Sequence, residues 1–223
     1  MLAIGGGINL PTILGSKGSH ISADIGPKRL QKGDMLFLEN SKTALKFPHL
    51  RDLYQANGLP CFPKWQVRSP YLPAQKITPI YCLPGPHLSF LSIKDREIFW
   101  STMWTVSNQS NRMGIRLESD FQVKKVLPNI PSQAITFGTV QFPPSQEPIV
   151  MLSEHQTTGG YPRLAEVIKA DRAKLAQVKP GNQIQFIAMD LEKADHLNLE
   201  SKQLQESTLN AIELLLQTSI KRV

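Results

Sequence analysis

Cysteine is scarce in this chain: Cys61 and Cys82 are the two among 223 residues. One pair is no disulfide framework, and without a Cys-x-x-Cys spacing there is no zinc-ligand pattern, so no metal site is expected. This usage suits two reduced thiols in a cytoplasmic protein. Long apolar runs are also missing. Polar residues break every hydrophobic stretch well short of the ~20 residues that cross a bilayer, so no membrane span is expected. The opening MLAIGGGINLPTILG lacks the basic n-region of a secretion signal. The Walker A, GxGxxG, HExxH and GxSxG signatures are absent, so the chain brings no phosphate loop or nucleophile elbow of known pattern. It has no internal repeat and no low-complexity tract.

Charge is present but uneven. Residues 1–100 hold 12 Lys/Arg against 6 Asp/Glu, and residues 101–223 hold 13 against 12, for a net +7. The basic residues stand singly and no aromatics alternate with them, which argues against a nucleic-acid surface. A basic half is suited to steering a small anionic substrate.

Seventeen prolines and fourteen glycines punctuate the chain. Between them lie short runs that predict strands: Met35–Glu39, Trp65–Arg68, Thr78–Leu83, Gly114–Glu118, Ala134–Phe142, Pro148–Leu152, Ala165–Ala170 and Gln183–Ala188. GIRLE puts Ile115 and Leu117 on one face, and QIQFIA does the same for Ile184, Phe186 and Ala188. Many short strands between Pro/Gly turns predict a mainly β chain built as a barrel or sandwich. Helices are few. Ser92 to Asp95 forms a capping box ahead of a stretch reaching about Trp104. Asp171 is placed to cap a short helix through Gln177. The clearest helical periodicity runs from about Ser201 to Lys221, with Leu204, Leu209, Ile212, Leu215, Leu216 and Ile220 on one stripe. The expected organisation is therefore an N-terminal β piece (1–40), a Pro-rich connection (41–77), the barrel (78–190) and a C-terminal helical tail (191–223).

Four segments are dense in turn formers and polar groups. In Leu83-Pro-Gly-Pro-His87, two prolines around a glycine stiffen the backbone that carries His87, a group able to move protons. Ser107-Asn-Gln-Ser-Asn-Arg-Met-Gly114 offers Asn111 and the guanidinium of Arg112, which can hold a carboxylate by two parallel bonds. Gly138-Thr-Val-Gln-Phe-Pro143 sets Gln141 beside a glycine in a β run. Glu154-His-Gln-Thr-Thr-Gly-Gly-Tyr-Pro162 joins Gln156 and Tyr161 to Thr157, Thr158 and Gly159, whose successive N–H groups can form a small anion-binding concavity. Glu154 and His155 are further groups able to handle protons.

These segments, in this order, resemble the KipA-like family, which comprises the C-type subunits of 5-oxoprolinase and allophanate hydrolase subunit 2. The matching stretches are LAIGGGINLPTILGS (2–16), LPGPH (83–87), SNQSNRMGIRLE (107–118), GTVQFP (138–143), PIVML (148–152), QTTGGYPRLAEVIKADRAKLAQVKPGNQIQF (156–186) and a trailing AMDLEKA (188–194). The resemblance implies a cyclophilin-like β-barrel. It further implies one part of a 5-oxoprolinase complex, working with the KipI-like B-type subunit, and with the A-type subunit, to convert 5-oxo-L-proline to glutamate with ATP. Related domains occur in urea amidolyase as biotin-dependent carboxyltransferase parts, although this chain carries no biotinyl-lysine motif. In a few bacteria such a pair is instead a non-catalytic regulator built around a kinase inhibitor. Set against the family pattern, the resemblance implies that the family's N-terminal part is not included in this sequence; the loop after Gly15-Ser16 is short, and Glu154 stands where aspartate is frequent.

Opening a lactam needs donors for a developing oxyanion and a clamp for the substrate carboxylate. The expected assignment gives Arg112 the clamp and the N–H groups of Thr157, Thr158 and Gly159 the oxyanion. Asn111, Gln141, Gln156 and Tyr161 orient the substrate, and His87 transfers protons.

Overall fold

The structure, a computed structural model, describes residues 7–20, 23–39, 76–124 and 127–218. It divides into two compact units, residues 1–66 with 211–223, and residues 67–210. In the first unit the described backbone has isolated bridges, Ile8 with Leu38, Ile13 with Ser16 and His20 with Ile25. The strand expected at Met35–Glu39 is reduced to the single bridge at Leu38. Met35 and Phe37 remain largely exposed, so the alternation there has no second layer to bury against. The expected Trp65–Arg68 strand, Cys61 and nearly all of the Pro-rich connection lie outside the described residues.

Among its described residues the second unit carries nine strands: β1 (Ile77–Pro84), β2 (Met103–Val106), β3 (Gly114–Glu118), β4 (Gln133–Ala134), β5 (Thr139–Gln141), β6 (Ile149–Met151), β7 (Thr158–Gly159), β8 (Arg163–Val167) and β9 (Gln183–Ala188). Seven close into a barrel in the order β1-β8-β5-β6-β3-β2-β9, while β4 and β7 pair as a separate ribbon. The closing contact of β1 with β9 is parallel, from Ile77 opposite Gln183 to Cys82 opposite Ala188. The other barrel pairs are antiparallel. Closure leaves none of these seven strands with an open edge.

Alternation along the strands sorts side chains to two faces. Ile80, Cys82, Trp104, Val106, Ile115, Leu117, Val140, Val150, Leu164, Val167, Ile184 and Phe186 are buried in the core. Its centre is aromatic: Phe99 stacks on Phe186 with centroids 5.5 Å apart, and Trp104 meets Phe121 edge-on at 5.6 Å. Cys82 sits fully buried among these groups, and burial pushes its thiol well up from its ordinary range.

Helix α1 spans Ile93–Ser101. The Ser92 hydroxyl accepts from the Asp95 N–H at 3.1 Å and donates to the Asp95 carboxylate at 2.7 Å, so the expected cap forms. The helix stops short of Trp104, however, because Met103–Val106 leaves it as β2. A helix has no use for the two-residue period of Trp104 and Val106, whereas a strand buries both. The single long run expected over Ala134–Phe142 is broken into β4 and β5 by a turn at Gly138, whose φ is 102°.

Two further expectations change. The strand at Ala165–Ala170 ends at Val167, and a 3-10 turn (Lys169–Asp171) leads into the short helix α2 (Arg172–Leu175). The Asp171 side chain does not cap that helix. It is buried and accepts the Tyr81 N–H at 2.8 Å, with Lys174 paired to it at 2.6 Å. Helix α3 runs Leu191–Thr218, starting ten residues before the periodic stretch from Ser201. The Asp190 carboxylate accepts the Lys193 N–H at 2.8 Å, which caps the helix start.

Candidate functional site

The site lies on the outer face of the barrel, across three adjacent strands. On β3 the core takes Ile115 and Leu117, so Gly114 and Arg116 face outward; on β6 the core takes Val150, so Ile149 and Met151 face outward; on β5 Val140 points in and Gln141 out. The register sets these in rows. Arg116 is opposite Ile149, and Ile149 is opposite Gln141; Gly114 is opposite Met151. Together with Asn111, Met113, Gln156 and Tyr161 they line a cavity of about 210 Å³. A side chain at Gly114 would crowd this floor, since a Cβ there would stand 2.9 Å from Ile149 Cγ2.

The two loops that wall the cavity are zipped together. Leu152 N–H donates to the Met113 carbonyl at 2.9 Å, and Glu154 N–H donates to the Arg112 carbonyl at 3.1 Å. Asn111 shapes its own turn: its side-chain oxygen accepts the N–H groups of Met113 at 2.8 Å and Gly114 at 3.3 Å. With the oxygen so committed, the NH2 is what Asn111 can offer a ligand.

Gln141 is the unusual member. It is 1% exposed, yet neither its Oε1 nor its Nε2 has a partner among the described residues. Buried amides are nearly always hydrogen-bonded, and an unpaired one costs roughly 1–3 kcal/mol. The position is also enforced. The β5–β8 pairing slips between Val140, opposite Ala165, and Gln141, opposite Arg163, which marks a bulge. Gly159 abuts the amide so closely that a Cβ on it would lie 2.4 Å from Gln141 Nε2.

The sequence-predicted residues fall into two groups. Asn111, Gln141, Gln156 and Tyr161 are brought together in the cavity. His87, Arg112, Thr157, Thr158 and Gly159 are not among its lining residues. Arg112 forms an ion pair with Glu154 at 2.5 Å, with 60% of its own side chain exposed. Thr158 and Gly159 pair as strand β7 with Ala134 and Gln133, and the Thr157 carbonyl accepts the Ile135 N–H at 3.1 Å. An extended strand sends successive N–H groups to opposite sides, so the expected concavity is not formed there. The physical reason is the pairing with β4, which the local pattern of the segment does not reveal. His87 serves the backbone: its Nδ1 accepts the Arg163 N–H at 3.2 Å beside the bulge. Burial, and then the Arg163 charge, lower its pKa from 6.5, keeping the ring neutral as this bond requires. The Arg163 guanidinium ties the ribbon down through the Gln133 side chain at 2.8 Å and the Ala134 carbonyl at 3.2 Å.

Sequence reasoning missed Arg116, Ile149, Met151, Met113 and Gly114 as site residues. The alternation in GIRLE already placed Arg116 opposite the core face, whereas the uniformly apolar run Ile149–Met151 carried no such signal. What it withheld was the register that sets the three strands side by side. Among the described residues no group of His, Cys, Asp and Glu is arranged to hold a metal ion, and no helix is long and apolar enough to cross a membrane.

The site-bearing barrel, with its outward polar row under two zipped loops, defines the class. Residues 1–188 match the family described as carboxyltransferase domain, subdomain A and B, and the chain belongs to it. Its relatives include the C-type subunit of 5-oxoprolinase from Escherichia coli, 35% identical over 196 residues, covering 86% of this chain and 57% of that protein. The Haemophilus influenzae C-type subunit of the same enzyme is 34% identical over 205 residues, covering 90% of this chain and 59% of that one. The chain thus spans rather more than half the length of these relatives. In three dimensions it is similar to the urea amidolyase of K. lactis, with a TM-score of 0.66 and 24% identity, over 89% of this chain and 12% of that one; this likeness speaks for the fold.

Proposed function

We propose that this chain supplies the cyclic-amide-binding part of an ATP-dependent 5-oxoprolinase. Together with the KipI-like B-type subunit, and with the A-type subunit, it converts 5-oxo-L-proline, ATP and water to L-glutamate, ADP and phosphate. The observation that carries this reading is the buried Gln141 amide, which lines a small cavity with both its donor and its acceptor unused by the described residues. A group held in that state is stabilised when a ligand provides the missing partners.

A lactam is a poor electrophile. ATP supplies the chemistry by phosphorylating the ring carbonyl oxygen. This chain's residues bind and orient. Gln141 engages the ring amide, the Asn111 NH2 and the Gln156 amide add donors, and Tyr161, 38% exposed, closes the open side. At about 210 Å³ the cavity falls below the ~300–1,000 Å³ of pockets for drug-sized ligands, so it suits the small acid and not the nucleotide. ATP binding is accordingly assigned to surfaces elsewhere in the complex. Arg116 and Tyr161 are the ionisable residues among the described lining, and no His, Asp or Glu stands with them there. Proton transfer is therefore assigned to the partner subunits.

Co-expression with the A-type and B-type subunits, followed by an assay of ATP-dependent glutamate release, tests this. Gln141→Leu is expected to lower turnover about a hundredfold, the scale of one lost transition-state donor, with the complex still assembled. Near-normal turnover by the assembled variant would contradict the reading.

A further inference from the structure

We infer that the cross-strand row Arg116–Ile149–Gln141 is the specificity element of this cavity, reading an anionic five-membered cis-amide at three points; the inference rests on the cyclic-amide reading above. A small ring forces its amide cis, so N–H and C=O lie along one edge. A primary carboxamide is the complement of that edge. Its oxygen accepts the ring N–H and its NH2 donates to the ring carbonyl, giving two parallel hydrogen bonds. Gln141 presents this donor and acceptor, both buried and both unpartnered among the described residues. An open-chain trans amide turns its N–H and C=O to opposite sides and cannot satisfy both.

The other two points follow from register. Ile149 separates Gln141 from Arg116, so the two polar residues stand two strand spacings apart, roughly 9–10 Å between backbones. Ring methylenes lying on Ile149, with Met151 beside it, direct the amide edge to Gln141 and a ring carboxylate to the Arg116 side. The Arg116 guanidinium has no acidic partner among the described residues, whereas Arg112 is held by Glu154 outside the lining. A guanidinium grips a carboxylate by two parallel bonds, which makes Arg116 the anchor for the anionic end. The assignment moves the carboxylate clamp from the loop to the strand.

Calorimetric titration of the full chain separates the possibilities. The probes are 5-oxo-L-proline, 2-pyrrolidinone (the same ring without a carboxylate) and N-acetylglycine (a carboxylate with a trans amide). Wild type is expected to bind 5-oxo-L-proline at least tenfold more tightly than either of the others. Arg116→Gln should abolish the preference over 2-pyrrolidinone, Arg116→Lys should keep part of it, and Arg112→Ala should leave it intact. Unchanged melting temperatures of these exposed-site variants confirm that folding is not the cause. A preference that survives Arg116→Gln, or that vanishes in Arg112→Ala, overturns the row while leaving the cyclic-amide reading standing. Absence of binding by both ring compounds to the folded wild-type chain overturns that reading and the row with it.

Discussion

Gln141 bears more of the proposed function than any other side chain. If its amide exists to meet a ligand, it is a burden on the unliganded fold. Gln141→Leu keeps the volume nearly constant and removes an unpaired buried polar group. The expected result is a urea-unfolding stability equal to wild type or about 1 kcal/mol higher, with loss of ligand binding. A stability loss beyond about 1 kcal/mol would mark the amide as structural. Gly159 gives the complementary case. Its missing Cβ leaves room for the amide, and Gly159→Ala would push an atom to 2.4 Å from Gln141 Nε2. Affinity for 5-oxo-L-proline should fall at least tenfold, with an overpacking cost of about 1–3 kcal/mol in denaturant melts. Thus the glycine of the double-threonine segment matters through the space it leaves, not through its N–H.

His87 makes a pH prediction at the same scale. Its folded-state pKa lies below the unfolded 6.5, because burial and the Arg163 charge disfavour the imidazolium. Well above 6.5 the ring is neutral in both states and adds no pH dependence. As pH falls through 6.5 the unfolded chain takes up a proton that the folded chain resists, so stability is lost on the acid side down to the folded pKa. Urea midpoints measured from about pH 7.5 to 5.5 should show this loss in wild type and less of it in His87→Asn, which retains an acceptor for the Arg163 N–H. Equal slopes would contradict the assignment.

Among the elements, β3 and β9 were legible from alternation alone: Gly114–Glu118 and Gln183–Ala188 have the bounds that their two-residue period suggests. The cap at Ser92 was equally readable, because its signal is local. Misreadings arose where a distant partner decides the outcome. Trp104 looks like the end of a helix until β9 takes Met103–Thr105 as its neighbour. Asp171 looks like a cap until β1 presents the Tyr81 N–H to it. That contact fastens the turn before α2 to the barrel wall. Asp171→Ala leaves the Tyr81 N–H and Lys174 without their acceptor, and thermal or chemical denaturation should show a loss of about 1–3 kcal/mol. Asp171→Asn should recover part of it, since the side-chain oxygen remains. A neutral effect of the alanine variant would contradict the link. The candidate site divides in the same way. The polar loops announced themselves by composition, and four of the residues they singled out do meet in the cavity. Arg116 did not, because one outward arginine on a strand looks like any solvated charge until the register sets it beside Ile149 and Gln141.

At the scale of the whole molecule, the closed barrel is what makes the site possible. Strand β3 and the consecutive β5 and β6 give one rigid outer row, and closure holds their stagger. The loops then only have to cover it, and their mutual hydrogen bonds fix that cover. Among the described residues, the lining of the cavity offers groups that bind and orient a ligand. The most direct test of ligand capture by the buried amide is an NMR titration of the full chain that follows the side-chain NH2 resonances of Gln141, assigned by their loss in Gln141→Leu. On addition of 5-oxo-L-proline, saturable shifts of that NH2 pair are expected together with shifts of the Asn111 and Gln156 side-chain amides. Saturable binding that leaves the Gln141 resonances unmoved would contradict that role.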